Sequence, residues 1–324
     1  MVHFTPTTDP TVAAQALADG QLAVIPTETV YGLGAQAENP DAVTRVFATK
    51  GRPVDHPLIV HVRNREAVRG WVRSVPEYAM ALMDELWPGP LTVVLPRSER
   101  AADYLTGGQD TVAMRVPGSP VTREVLRALG EIVNNEGVGI AAPSANKFGR
   151  VSPTTSQHAA EELGEDLKEG DVILDAGPCV VGLESTIVDC SGSAPVILRP
   201  GKVTAEQIEA LTGMPLAVST KTRAPGTLAS HYSPAATVRL VSSDELTESV
   251  GDQTTGVIAE ATVPTPQGVV RISAPHSMEE YAAGLYRALR EADSLGLRLV
   301  LAVPPEGSGL AEAIRDRLQR AAHE

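Results

Sequence analysis

Two segments near the start of the chain carry residue types that bind phosphate. Residues 26–34 are rich in hydroxyl groups and close on Gly32 and Gly34, and the second segment contains Lys50 and Arg52. A guanidinium group binds phosphate oxygens as a planar fork and an ammonium group as a point charge, while hydroxyl and backbone N–H groups add neutral donors. Ser144 follows later in a similar polar run. The combination predicts a site for a phosphorylated ligand.

Each of these residues also has an ordinary explanation. The glycine pair at 32 and 34 is by itself most typical of a turn, and isolated cations are most often solvated surface charges. Gly51 and Pro53 around Arg52 favour an ordered loop, which makes ligand binding by that loop the slightly better interpretation. His56 and His61 are open between ligand contacts and structural roles as a capping residue and a core histidine.

Two arginines precede Pro-Gly turns at the predicted ends of strands. Arg115 and Arg199 would be exposed edge charges if considered singly, but two such arginines in one sheet could converge on an anion. Ser152 is explained by N-capping of a segment that begins near Thr154. Ser144 and Asn146 have no comparable structural explanation, which favours a binding role for them.

The elements that position the cations follow from local signals. Asn39 is an expected N-cap and Pro40 an N1 proline, and apolar residues at helical spacing continue until Gly51. This pattern predicts a helix that places Lys50 at its negative end and Arg52 just beyond the glycine cap.

The whole chain predicts a mixed α/β protein of two domains. Strands and helices interleave irregularly, and three strands at 172–175, 186–189 and 196–199 lack helices between them, which favours a mixed sheet over a doubly wound one. Residues 1–211 are expected to form the first domain and 238–324 a small α/β domain. Residues 212–237 are rich in Pro, Thr, Ser, Gly and Ala and predict a linker. Its His231 and Tyr232 suggest a lid over the site.

Composition excludes several classes of protein. The net charge is −13 and neither part of the chain is basic, so any contact with RNA would be local or brief. Cys179 and Cys190 lack the spacing of a zinc site or a disulfide framework and are expected to be small buried residues. No apolar run is long enough for a membrane span, so the protein is predicted to be cytoplasmic without a membrane partner.

Several segments together resemble one family. The chain is similar to the threonylcarbamoyl-AMP synthases in their two-domain form, with a YrdC-like N-terminal domain. The resemblance lies in residues 26–34, 50–53, 57–61, 115–117, 143–146, 152–154, 184–189, 199–201 and 231–234. It implies a twisted, mixed open α/β sheet with a large cavity, followed by a smaller Rossmann-like α/β domain.

The resemblance also implies a reaction and a set of site residues. L-threonine, bicarbonate and ATP, with Mg²⁺, would give threonylcarbamoyl-AMP and pyrophosphate, the first step of N6-threonylcarbamoyladenosine formation in tRNA. A tRNA threonylcarbamoyl transferase machinery would receive the product. The implied threonine contacts are Thr29, His61, Arg115, Ala142 and Ser185. The implied nucleotide contacts are Lys50, Arg52, His56, Thr111, Ser144, Asn146, Ser152, Arg199 and Tyr232, with Lys50 and Arg52 as the catalytic pair.

The residue inventory fits this chemistry with one departure. A threonine carbamate is already an anion, so its attack on phosphorus needs charge neutralisation and alignment instead of an activated serine or cysteine. Family members commonly carry Ser-Ala-Asn-x-Ser-Gly, whereas this chain has Phe148 at the fifth position. No compact carboxylate cluster identifies ligands for Mg²⁺. Two alternatives stay open: a non-catalytic RNA- or ribosome-binding protein, and a nucleotidyl enzyme that uses carbamoyl phosphate.

Overall fold

The computed structural model describes residues 6–218, 222–226, 232–248 and 252–323. Its helices are α1 Pro10–Ala18, α2 Pro40–Lys50, α3 Glu77–Leu86, α4 Asp103–Thr106, α5 Pro120–Ile132, α6 Ser156–Leu163, α7 Ala205–Thr212, α8 Ser243–Glu248, α9 Met278–Ser294 and α10 Leu310–Ala321. Its strands are β1 Ala23–Ile25, β2 Gly32–Gln36, β3 Ile59–Val62, β4 Leu91–Pro96, β5 Thr111–Arg115, β6 Gly139–Ala141, β7 Val172–Ile173, β8 Thr186–Asp189, β9 Val196–Arg199, β10 Thr237–Leu240, β11 Thr255–Ile258, β12 Val270–Ser273 and β13 Leu299–Ala302. A 3-10 helix spans Glu66–Gly70.

The larger sheet is mixed, as the sequence predicts. Its nine strands lie in the order β7-β1-β2-β6-β3-β5-β4-β8-β9, with parallel and antiparallel neighbours. Hydrophobic cores form on both of its faces; α1 and α5 contribute to one and α2 and α3 to the other. Both faces are therefore covered, which explains why Met114 and Arg115, on opposite faces of β5, are both buried.

The glycine pair at 32 and 34 is a strand feature, so its interpretation as a turn is wrong. Both residues lie in β2, which pairs with β1 through Ile25 and Gly32. A Cβ atom on Gly34 would stand 2.9 Å from a methyl carbon of Ile140 and 3.1 Å from the carbonyl oxygen of Ala23. The glycine is required because neighbouring groups approach the backbone this closely.

The observed limits of α2 agree with its local sequence signals. The side chain of Asn39 accepts a hydrogen bond from the backbone N–H of Ala42, and Pro40 begins the helix. Gly51 ends it in the left-handed region at φ 63°. Lys50 thus occupies the last helical position, and Arg52 starts the loop that leads to β3.

The smaller sheet is parallel and packs against the larger domain. Its order is β10-β13-β11-β12. One hydrophobic core contains Tyr281 and Leu285 from α9 together with Val30, Val151 and Leu183, which belong to the first 211 residues. Among the described residues, no helix is both long and apolar enough to cross a bilayer. Cys179 and Cys190 are buried free thiols.

Candidate active site

A cavity lies where the β1–β2 connection meets β3, β5 and the segments that follow β6 and precede β8. It is lined by Thr27, Thr29, Val30, Gly32, Arg52, Ile59, His61, Arg115, Ala142, Pro143, Ser144, Glu184, Ser185, Arg199, Pro225, Gly226 and Tyr232. Sequence-distant segments therefore share one hollow, and three arginines face it.

Most of the predicted site residues belong to this lining. They are Thr29, Arg52, His61, Ala142, Arg115, Ser144, Ser185, Arg199 and Tyr232. The others, which do not line it, are Lys50, His56, Thr111, Asn146 and Ser152. His231 lies outside the described residues.

One end of the cavity is organised around Arg115. Its Nη2 lies 2.5 Å from Oε1 of Glu28, and its Nη1 donates to the hydroxyl of Thr29 at 3.0 Å. Its Nε donates to the carbonyl oxygen of Gly89 at 3.3 Å. Burial by itself raises the pKa of Glu28, but the charge and hydrogen bond of Arg115 outweigh it and the pKa is lowered. The carboxylate of Glu28 and the hydroxyl of Thr29 thus hold the Arg115 guanidinium in a fixed position.

His61 stands beside Arg115 in the parallel register of β3 and β5. Burial, and then the charge of Arg115, lower its pKa to about 3, so the imidazole is neutral at physiological pH. Its Nδ1 is buried and makes no hydrogen bond to any described protein group. Because His61 lines the cavity and this buried polar atom lacks a protein partner, the imidazole is suited to contact a polar ligand.

Arg199 is a buried part of the cavity lining, which excludes an exposed edge charge. Its Nε and Nη2 donate to the carbonyl oxygen of Ser185 at 3.1 and 3.0 Å. Its Nη1 donates to the carbonyl oxygen of Pro225 at 3.1 Å. The hydroxyl of Ser185 lies 2.7 Å from that of Thr92. Residues 225 and 226 cover the strand end, and local sequence signals do not reveal this cover.

Lys50 supports the Ser144 loop instead of lining the cavity. Its Nζ donates to the carbonyl oxygens of Ser144 and Asn146. Burial and then the neighbouring charge of Arg52 lower the pKa of Lys50 well below its usual value. The side-chain amide of Asn146 donates to two carbonyl oxygens of its own loop, at 2.7 and 2.9 Å. Both residues therefore shape the loop that presents Ser144.

Arg52 has few protein partners for a buried guanidinium. Its Nη2 donates to the carbonyl oxygen of Pro57 at 3.0 Å, whereas its buried Nε makes no hydrogen bond within the described structure. Burial lowers its pKa to about 10, which leaves it charged at neutral pH. Its guanidinium carbon lies 5.9 Å from the ring centre of Phe148. The remaining donors are available to an anion in the cavity.

The other predicted residues lie around the lining. His56 is half-buried and its ring stands edge-on to Phe148, with centroids 5.4 Å apart. Thr111 begins β5, the strand that ends at Arg115. Ser152 donates to Oε1 of Glu184 at 2.6 Å, and Thr155 is the N-cap of α6. The N-cap role predicted for Ser152 is therefore wrong, because its hydroxyl binds a tertiary partner.

Four contributors to this region are not identified by sequence reasoning. Glu28 has a weak signal, since it is an acid inside a hydroxyl-rich run. Glu184 belongs to a polar segment before a strand, which is most typical of a turn and, as an alternative hypothesis, of the border of a site. Tyr286 and Arg317, which both contact Glu184, have no signal at all, because they lie in amphipathic helices whose tertiary partners a single sequence does not identify.

No carboxylate cage for a metal ion is apparent in the described ranges, which contain no group of three or more His, Cys, Asp or Glu side chains that could hold an ion. Glu184 lines the cavity and Glu28 lies beside it, and they are paired with Arg317 and Arg115 respectively. The polar groups that this site presents are thus mainly cations, hydroxyl groups and a neutral imidazole, set among apolar residues such as Val30 and Ile59.

The class defined by this fold and cavity is a two-sheet α/β protein with a cavity lined by Arg52, Arg115 and Arg199. Family models match the chain over residues 15–201, described as "Telomere recombination", and over 203–323, described as the threonylcarbamoyl-AMP synthase C-terminal domain. The chain belongs to the threonylcarbamoyl-AMP synthase family, and is an enzyme of the nucleotidyltransferase type.

Relatives of this chain match it over nearly its full length. The threonylcarbamoyl-AMP synthase of Pyrococcus abyssi is 38% identical, covering 96% of this chain and 93% of the relative. That of Bacillus subtilis is 37% identical, covering 98% and 94%. The crystal structure of P. abyssi Sua5 complexed with L-threonine has a TM-score of 0.85 at 37% identity, covering 97% of this chain and 94% of that one.

Proposed function

We propose that this enzyme makes L-threonylcarbamoyladenylate and pyrophosphate from L-threonine, bicarbonate and ATP. The threonine amine and bicarbonate give a carbamate and water; a carbamate oxygen then bonds to the α-phosphorus while the bond from that phosphorus to pyrophosphate breaks. The observation that carries the proposal is one cavity lined by two groups of residues, which we treat as its two ends. Arg115 and His61, neighbours in the register of β3 and β5, form the first group, and we assign Arg52, Ser144 and Arg199 to the second.

The Arg115 end is proposed to hold threonine. Arg115 is fixed by Glu28 and Thr29 and retains unused N–H groups for the substrate carboxylate. Neutral His61 can exchange a hydrogen bond with the threonine hydroxyl or carbamate without adding charge. Ala142 and Ser185 complete the proposed contacts. A solved relative that binds L-threonine supports this assignment.

The opposite end is proposed to hold ATP. Arg52 is the proposed catalytic residue, because it lines the cavity and its buried Nε has no acceptor in the described structure, so its guanidinium could neutralise charge that develops on the departing pyrophosphate. Ser144, Arg199 and Tyr232 are proposed nucleotide contacts. An indirect role is proposed for Lys50 and Asn146, which hold the loop of Ser144, and for Ser152, which binds Glu184. The nucleotide is proposed to be bordered by His56 and Thr111. Residues 225–226 and Tyr232, which cover the cavity, would exclude the water that hydrolyses a mixed anhydride.

Mg²⁺ is proposed to enter with ATP. The described residues offer it no carboxylate cage, since Glu28 and Glu184 are paired with arginines, so phosphate oxygens and water would be its ligands. Bound there, it would supply additional neutralisation of phosphate charge.

The product is proposed to pass to the tRNA threonylcarbamoyl transferase machinery in the cytoplasm, with at most brief contact between this acidic chain and tRNA. We also propose that residues 1–211 form the catalytic domain, 212–237 the linker and lid, and 238–324 the small C-terminal domain.

Purified protein with ATP, Mg²⁺, bicarbonate and labelled threonine tests the reaction. We expect pyrophosphate release that requires both threonine and bicarbonate, together with a labelled adenylate. Release at the level of a protein-free control would refute the proposed function. Release without threonine would indicate simple ATP hydrolysis and would also contradict it.

A further inference from the structure

Two helices of the C-terminal sheet reach the edge of the cavity. Tyr286 on α9 donates through its hydroxyl to Oε2 of Glu184 at 2.7 Å, and Nε of Arg317 on α10 lies 3.0 Å from the same oxygen. Ser152 donates to the other carboxylate oxygen at 2.6 Å. Glu184 lines the cavity, so three donors from three segments fix one of its walls.

The same two side chains frame Tyr232 above the cavity. Its ring stacks on that of Tyr286, with centroids 5.3 Å apart and planes at 27°, and the guanidinium carbon of Arg317 lies 5.4 Å from its centre. Tyr232 is itself in the left-handed region at φ 64°. A Cβ atom on Gly226 would stand 2.5 Å from the Tyr232 hydroxyl, so the two covering segments are in close contact.

Arg317 also reaches the strand end that carries Arg199. Its Nη2 donates to the carbonyl oxygen of Pro200 at 3.0 Å, and Nη1 lies 2.6 Å from the Asp316 carboxylate. The side chain of Arg317 has no exposed area. A buried, planar guanidinium with three fixed acceptors permits little rotation, so the positions of Glu184, Pro200 and Tyr232 depend on one another.

We propose that Tyr286 and Arg317 are positioning residues for the nucleotide end of the cavity. They hold the Glu184 wall and the Tyr232 cover together, and in this way the C-terminal domain completes a site whose other residues all belong to the first domain and the linker. This inference rests on the proposed function. It assigns neither residue a contact with substrate.

Steady-state kinetics of Tyr286→Phe and Arg317→Met test the proposal. Tyr286→Phe removes one donor to a buried carboxylate and keeps the aromatic stack, while Arg317→Met removes the guanidinium. A hydrogen bond to a charged group is worth enough to change an equilibrium about tenfold or more. We expect KM for ATP to rise about tenfold in both variants, with KM for threonine within about twofold of wild type.

Arg315→Met is the matched control. Arg315 lies in the same helix α10. Its Nη1 donates to the carbonyl oxygen of Pro305 and not to Glu184. KM for ATP and KM for threonine should both be unchanged in this variant. Folded Tyr286→Phe and Arg317→Met enzymes with wild-type KM for ATP would overturn the proposal, and so would equal increases in both KM values, since a merely structural defect has no preference for one substrate.

Loss of Arg317 leaves the Glu184 charge buried without its ion-pair partner, which can prevent folding. The double variant Glu184→Gln with Arg317→Met removes both charges and guards against that outcome. If it regains wild-type melting temperature while KM for ATP stays high, positioning is supported. If KM for ATP and the melting temperature both return to their wild-type values, the proposal fails. Wild-type enzyme is measured in the same assay. If it is active, a negative result concerns only the positioning role, and if it is inactive, the proposed reaction itself fails.

Discussion

The ammonium group of Lys50 donates a hydrogen bond to the backbone carbonyl oxygen of Ser144, with Nζ and the oxygen 2.5 Å apart. A second bond joins it to the carbonyl oxygen of Asn146. The last residue of α2 thereby holds the loop that follows β6. The two anion-binding loops expected from sequence are connected through this side chain.

Replacing Lys50 by Met should lower both stability and activity. Two buried carbonyl oxygens would lose their donor, and each unsatisfied buried group costs about 1–3 kcal/mol. We expect the free energy of unfolding in urea to fall by about 2–5 kcal/mol, and kcat/KM to fall as the Ser144 loop loosens. Lys147→Met is the control: its ammonium is partly exposed, pairs with Asp166 and donates to one carbonyl oxygen, that of Thr49, at 2.8 Å, so its loss should cost less, about 1 kcal/mol. Equal losses in the two variants would contradict this account.

Arg52→Ala should remove activity and leave the fold nearly intact. Among the described residues the substitution removes a single protein hydrogen bond, to Pro57, whereas it removes the whole guanidinium group from the cavity lining. Loss of a donor aimed at developing charge lowers kcat by about 10²–10³-fold. Arg52→Lys, which keeps the charge without the planar fork, should retain intermediate activity. The exposed Arg73 provides a control substitution to Ala. Wild-type turnover in Arg52→Ala would exclude a role in phosphate chemistry.

Burial of neutral His61 makes stability depend on pH in a defined window. Its pKa of about 3 in the folded state lies below the value of about 6.5 of an unfolded histidine. Between these values the unfolded chain binds one more proton than the folded chain at this site, so stability must rise with pH. Below the folded value both states are protonated and the dependence ends.

The His61→Asn variant isolates that contribution. Urea unfolding at pH 5 and pH 6 should show a pH dependence smaller than that of wild type by about 1 kcal/mol per pH unit. Other titrating groups contribute to both proteins and cancel in the difference. Identical pH dependence in the two proteins would mean that His61 is not buried in its neutral form.

Phe148 stands where the resemblance to the family motif predicts a serine, and its ring contacts the loop that bears Arg52. His56 stands edge-on to it and the Arg52 guanidinium lies near its face. Such ring contacts are worth about 0.5–1.5 kcal/mol. Phe148→Ser should therefore raise KM for ATP about 2–10-fold, and Phe148→Tyr, which keeps the ring, should resemble wild type. A lower KM in the serine variant would show that the hydroxyl group serves the nucleotide better.

Local sequence signals are sufficient for individual elements. The cap, proline and terminal glycine of α2 are close together in the sequence and set its limits, so they place Lys50 at the helix end and Arg52 just beyond it without any tertiary information. Motif resemblance likewise selects Arg115, Arg199 and Tyr232, which all line the cavity. The limits of α2 can be predicted because the relevant information lies within a few consecutive residues, whereas the ligand contacts of Arg115, Arg199 and Tyr232 stay predictions.

Only tertiary contacts decide how those residues are used. The requirement for glycine at position 34 depends on the close approach of Ile140, and Arg199 is held in part by the carbonyl oxygen of Pro225. The contribution of Arg317 depends on helix α10 meeting Glu184, which lies 133 residues earlier in the chain. Amino-acid types and local spacing determine which chemical groups are present. Burial, and therefore charge state and partner, is set by packing between distant segments, which a single sequence does not encode locally.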